Sequence, residues 1–274
     1  MSSSSPHSSA LSSITAIGLN TFRETVRDKI MYAFMLFAFV ISLLSILLGS
    51  LSVGQDVKIL EDIGLAAIAC ISGIIAVFAG TNLVYKELEK RTVYLIFTKP
   101  ISGWHFIAGK YLGLAACLLI VVAAMGFFLS GLVWMVRPEH GLNDLMAVSN
   151  LMMPAVMLVY LELLLVIALA TFFSTFASPV MSVLFTLALW LIGHFGDSLK
   201  QLGQMSQNPT FAQFSNFLYL ILPDLAGLTR ARSILMYGRS PGPEVITFIT
   251  CYVFAYVVLL LVLAAAVTDR REFP

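Results

Sequence analysis

Apolar residues fall along this chain in long unbroken runs separated by short charged or Pro/Gly-rich breaks. The first run spans Ile30 to Val53, the second Ile63 to Tyr85 and the third Tyr111 to Val136. A fourth follows Pro154 and continues to Phe176. Pro179 then opens a fifth that is purely apolar to Phe195, with a mixed extension to Leu199, and the sixth covers Val245 to Val267. A bilayer core about 30 Å thick needs roughly 20 helical residues at a 1.5 Å rise. Proline at the start of the fourth and fifth runs suits a first helical turn, where its missing N–H has no partner to lose. The runs lack the alternation of a barrel strand, and hydrocarbon leaves backbone groups no partner except within a helix. The pattern predicts an all-α membrane protein with six transmembrane helices. A flexible tail over residues 1–10 precedes one membrane domain over 11–274.

Three polar-apolar mixtures lie outside those runs. From Leu11 to Asp28, Leu11, Ile14, Ile17, Phe22 and Val26 recur at near-helical spacing. Asn20, Arg23, Glu24, Arg27 and Asp28 supply the polar positions. This predicts an N-terminal amphipathic interfacial helix leading into the first span, against the plainer reading of a frayed soluble extension. Between the second and third runs, Lys86 to Pro100 carries charges in its first half and apolar side chains in its second. A short helix here would show Glu87, Lys90 and Arg91 to water while Leu88, Val93, Leu95 and Ile96 dock either on the chain's own bundle or in a groove of a cytosolic partner. Pro100 disfavours helix at Lys99 and ends it. The stretch from Gly196 to Pro243 is too long for a plain connection. Its apolar pieces, Phe217 to Leu222 and Leu225 to Tyr237, are broken by Pro223-Asp224, which fits short helices dipping toward the outer membrane surface better than a free loop.

Composition agrees with the pattern. Of 274 residues, 59% are hydrophobic and 11% charged, too little charge to coat a soluble globule of this size, for which about 25% is usual. The net charge of +1 excludes a phosphate-binding surface for nucleic acid. Cys70, Cys117 and Cys251 sit inside apolar runs without CxxC spacing, and His7, His105, His140 and His194 are scattered without metal-ligand spacing. With the N-terminus inside, ten of the 16 Lys and Arg fall on the inner side, which puts both termini in the cytoplasm.

Enzymatic signatures are weak. There is no HExxH, GxSxG or pair of intramembrane aspartates. The stretch Gly103 to Tyr111 has one residue too many between its glycines for a P-loop, and Tyr111 stands where Ser or Thr should hold magnesium. His194 and Asp197 are spaced to orient each other at a helix end. Glu162, in mid-run, is a candidate intramembrane polar site, because an acid there is costly and often functional. Its two readings are an interior residue bonded to a neighbouring helix and a contact for substrate. Small residues form stripes, Ala69, Ser72 or Gly73, Ala76 and Gly80 on the second run and Ser42, Ser45 and Gly49 on the first. They permit close approach of a helix from the same chain or from a second copy.

The residues Glu89-Lys90-Arg91-Thr92, Leu95, Lys99-Pro100-Ile101-Ser102, Phe106 and Gly109-Lys110-Tyr111-Leu112-Gly113 resemble the cytoplasmic signature of ABC-2-type transporter permeases. The branch most similar is that of the multicopper-enzyme and nitrous-oxide-reductase maturation permeases, to which Asn20 to Asp28 and Thr268 to Phe273 are also similar. Gly103 stands where an Arg commonly follows the Pro-x-Ser element. This resemblance implies a non-catalytic permease subunit in a prokaryotic inner membrane. A second permease, either the same chain or a related one, and two separate cytosolic ATPase subunits would complete the transporter, with ATP and magnesium bound on the ATPases and no cofactor in this chain. Coupling would then pass through Glu87, Glu89, Arg91, Thr92, Leu95, Lys99 and Pro100, together with Arg23, Glu24 and Arg27 of the entry helix. The competing expectation is an ATP-independent secondary transporter or channel, which predicts inverted repeats and broken spans with several buried charges. Neither is visible.

Overall fold

A computed structural model describes residues 6–50, 56–89, 103–137, 142–205, 222–237 and 241–270, with single positions 210, 213 and 215. The described elements are all α-helices: α1 Pro6–Val26, α2 Lys29–Ser50, α3 Asp56–Glu89, α4 Gly103–Val136, α5 Leu142–Ser174, α6 Pro179–His194, α7 Gly196–Met205, α8 Leu225–Met236 and α9 Pro243–Arg270. Each of the six apolar runs lies largely within a helix. Four helices are individually long and apolar enough to cross a membrane, in α3, α4, α5 and α9, and the pair α1 and α2, bent by 58°, makes a fifth if it is one broken span. α6 is apolar but has 16 residues, about 24 Å at 1.5 Å each, short of a bilayer core of about 30 Å.

Two expectations change at the level of helix ends. α1 begins at Pro6, within the Ser-rich stretch read as a tail. α5 begins at Leu142, so Pro154 lies inside the helix and does not open it. An internal proline removes one backbone hydrogen bond, and packing by neighbouring helices makes that tolerable within a bundle. Ala155 and Val156, which follow Pro154, are buried against the rest of the chain.

α5 is the centre of the bundle, packed on α3, α4, α6, α8 and α9. Leu163, Leu165 and Ile167 on it are fully buried. The surrounding helices turn large apolar side chains outward: Leu36, Phe37 and Leu43 on α2, Val180, Leu184 and Leu191 on α6, and Phe248, Phe254 and Val258 on α9. A surface of this kind suits hydrocarbon, where a polar coat would be costly. Several buried hydroxyl groups are satisfied along their own helices. Ser42 donates to the Ala38 carbonyl at 2.9 Å, Thr81 to Val77 at 2.9 Å and Ser130 to Gly126 at 2.8 Å. Between helices, the Tyr111 hydroxyl donates to the Leu164 carbonyl at 3.2 Å and that of Tyr160 to the Ala115 carbonyl at 3.1 Å, which ties α4 to α5 twice.

The small-residue stripe of α3 faces helices of its own chain. Gly73 receives the Trp190 ring of α6, and a Cβ on Gly80 would stand 2.7 Å from Ala170 of α5. Ser42 and Ser45 of α2 are likewise buried within the chain. α1, expected at the membrane interface, packs along α4: Gly18 lies so close to Gly113 that any side chain there would meet the Gly18 carbonyl. Thr21 and Thr25 are buried in the same contact, while Arg23, Glu24 and Arg27 face outward.

Candidate functional site

The one acid in the middle of α5 is surrounded by donors from α6. Glu162 is 2% exposed, and its Oε1 accepts from Trp190 Nε1 at 2.9 Å. His194 Nε2 lies 3.2 Å from the same oxygen. Trp190 and His194 are four apart, so consecutive turns of α6 present both rings to one carboxyl group. The rings meet edge to face, with centroids 5.8 Å apart at 85°. His194 Nδ1 is 2.8 Å from the Trp190 carbonyl oxygen. A carbonyl only accepts, so Nδ1 carries a hydrogen.

Neighbouring helices fix this arrangement. Gly73 of α3 leaves the space that the Trp190 indole fills, and Trp190 is itself buried. One residue before His194, Gly193 meets Leu225 of α8 and the Pro223 carbonyl, about 3 Å from where a Cβ would stand. Asp224 caps α8 by accepting from the Gly227 N–H at 3.0 Å, and its own N–H donates to the Tyr252 hydroxyl of α9 at 3.0 Å. The start of α8 therefore closes over the end of α6 and is tied to α9. Of the expectations for this stretch, short helices are present as α7 and α8. Leu225, Leu228, Ala231 and Leu235 of α8 are buried among α5, α6 and α9.

His194 turns to Glu162, which sequence spacing could not reveal because 32 positions separate them. Asp197, the expected partner of His194, has a side chain outside the described residues. The expected coupling residues divide likewise. Glu87 and Glu89 belong to the last turn of α3 without described side chains, and Arg91, Thr92, Leu95, Lys99 and Pro100 lie outside the described residues. The glycine-rich stretch from Gly103 to Tyr111 is helical in α4. Its Lys110 is buried with Nζ 4.9 Å from the Phe106 ring centre, and Gly109 packs on Ile17 of α1, 2.9 Å from a would-be Cβ.

A second buried acid was not singled out from sequence. Glu61, near the start of α3, is 6% exposed and pairs with Arg137 just beyond α4, Oε1 to Nη2, at 3.6 Å. Lys58, one turn earlier on α3, lies over the Tyr237 ring at 3.5 Å. The only sequence signal was a charge cluster, Lys58, Glu61 and Asp62, at a helix entrance. Among the described residues, no group of three or more His, Cys, Asp and Glu side chains is placed to hold a metal ion.

A long-helix bundle with a lipid-suited exterior and one satisfied polar knot matches a membrane subunit better than a soluble catalyst. The family model described as ABC-2 family transporter protein matches residues 10–272. The chain belongs to the ABC-2 transporter family. No curated protein matches it significantly. Membership in the ABC-2 family, together with four to five candidate spans, makes this a multi-pass membrane protein of transport type.

Proposed function

We propose that this ABC-2 protein is the permease half of an ATP-driven transporter. In this reading two copies in a prokaryotic inner membrane pair with two separate cytosolic ATPase subunits, and the chain itself is non-catalytic. The observation that carries the reading is the family match over residues 10–272. ABC-2 membrane subunits usually work with an ABC ATPase partner. ATP and magnesium belong to that partner. The bent pair α1 and α2 is taken as one crossing unit, α6 as a further short span continued by α7, and both termini as cytoplasmic. This orientation follows the Lys and Arg distribution of the sequence. The likeness to the copper-enzyme and nitrous-oxide-reductase maturation branch rests on short motifs alone and narrows the reading no further.

ATPase closure is transmitted, on this account, through residues 86–100 and through α1. Glu87, Glu89, Arg91, Thr92, Lys99 and Pro100 form the partner-facing link, and Leu95 seats its apolar half. Arg23, Glu24 and Arg27, outward on α1, add charged contacts. The packing of α1 on α4 supports this route, because a push on α1 meets a helix that is itself tied to the central α5. Leu95→Asp is expected to abolish stimulation of the partner ATPase while membrane insertion stays intact. An unchanged ATPase rate with a folded variant removes the segment from coupling.

A further inference from the structure

The Glu162 and His194 contact holds more than a hydrogen bond, because its proton count is fixed by geometry. Nδ1 of His194 is committed as a donor to the Trp190 carbonyl. Nε2 then faces Glu162 Oε1 at 3.2 Å. Two lone pairs would repel there, beside a Glu162 side chain that is 2% exposed and a His194 side chain that is 29% exposed, so one proton lies between them. Either the imidazolium donates to the carboxylate or the carboxyl group donates to the neutral ring. Both forms carry the same total of protons.

We propose that Glu162 and His194 together form a buried binding site for one proton, held only while α6 lies on α5. When the two side chains part into water, ordinary values of about 6.5 for His and about 4.3 for Glu apply. Above about pH 7 the parted groups are a neutral imidazole and a carboxylate, and the proton passes to water. At about pH 5.5 the parted imidazole keeps it, and parting releases nothing. Separation of α5 and α6 is therefore linked to release of one proton at neutral and alkaline pH and not at mildly acidic pH. The pair is stabilising through the mildly acidic range, and that contribution is lost as pH rises beyond it.

On α3 the neighbour of the pair is Gly73, which has no side chain. α8 brings Arg232, whose charge reaches His194, and Asp224, which accepts from Gly227. α9 brings Tyr252, whose hydroxyl accepts from the Asp224 N–H, and α7, following His194, carries Lys200.

The test needs no transport substrate and no ATPase, so its failure is separate from failure of the permease reading. Unfolding of the purified chain in mixed micelles is titrated with SDS from about pH 5.5 to about pH 8.5 for wild type, Glu162→Gln and His194→Gln. Glu162→Gln keeps a hydrogen-bonding group of the same size against Trp190 and His194, which both meet one oxygen of the acid. It removes the proton. Above about pH 6.5 the wild-type unfolding constant is expected to rise relative to Glu162→Gln by up to tenfold per pH unit, the slope for one proton. His194→Gln, which lacks the ring, should likewise lack the extra rise of wild type and serves if Glu162→Gln does not fold. Equal pH slopes for wild type and the variants overturn the proposal.

Discussion

Glu162 shows what one residue must satisfy inside a bundle. A carboxyl group removed from water and left unpaired would cost several kcal/mol, and here two polar rings from successive turns of α6 meet one oxygen. Glu162→Leu leaves Trp190 Nε1 and His194 Nε2 facing an apolar side chain. It is expected to destabilise the chain by about 1–3 kcal/mol, read as a lower melting temperature, with Glu162→Gln much closer to wild type. If transport falls in Glu162→Gln while its melting temperature holds, the carboxyl charge has a role beyond packing. The sequence marked Glu162 because an acid in an apolar run is conspicuous. Its partners were not marked, because Trp190 in an apolar run reads as core, and His194 sits beside a nearer carboxylate, Asp197.

At the scale of helices, the sequence located the elements and misplaced their ends. The six apolar runs lie largely within helices, since a run of this length has no other stable state in hydrocarbon. The break at Pro223-Asp224 became a cap, with Asp224 holding the Gly227 N–H. Pro154 misled, because proline at a helix start and proline inside a packed helix leave the same mark in sequence, and only the neighbours of α5 distinguish them. The polar stripe of α1 pointed to a membrane surface, and its seam on α4 was not legible, because Gly18, Gly109 and Gly113, which let the two helices approach, gave no periodic signal of their own. Gly113→Leu is expected to force α1 off α4, because the added side chain meets the Gly18 carbonyl and Thr21. Protease cleavage within α1 should accelerate several-fold while α3 to α6 stay protected. Unchanged cleavage would show that α1 does not depend on this seam.

For the whole molecule, the pattern of one central helix ringed by others with apolar outer faces was legible as class but not as arrangement. Nothing periodic in sequence says that α8 packs on α5 or that the α3 stripe faces α5 and α6. Those contacts join residues far apart in the chain. Orientation is testable directly. Cysteines placed at Ser102 and Ser206, in a version lacking the three native cysteines, should label from opposite sides of the membrane, Ser206 from outside intact cells and Ser102 only after permeabilisation. Labelling of both from outside would reverse the account of residues 86–100 as a cytoplasmic link. The central claim, that this chain works with an ATPase, is tested most directly by solubilising membranes of its own host cell, capturing the tagged chain and measuring ATP hydrolysis in the purified material. The account predicts a co-purifying subunit with Walker motifs, one for each copy of this chain, and vanadate-sensitive hydrolysis. A chain that purifies alone, folded and without ATPase activity, while still moving substrate in liposomes without nucleotide, would contradict it.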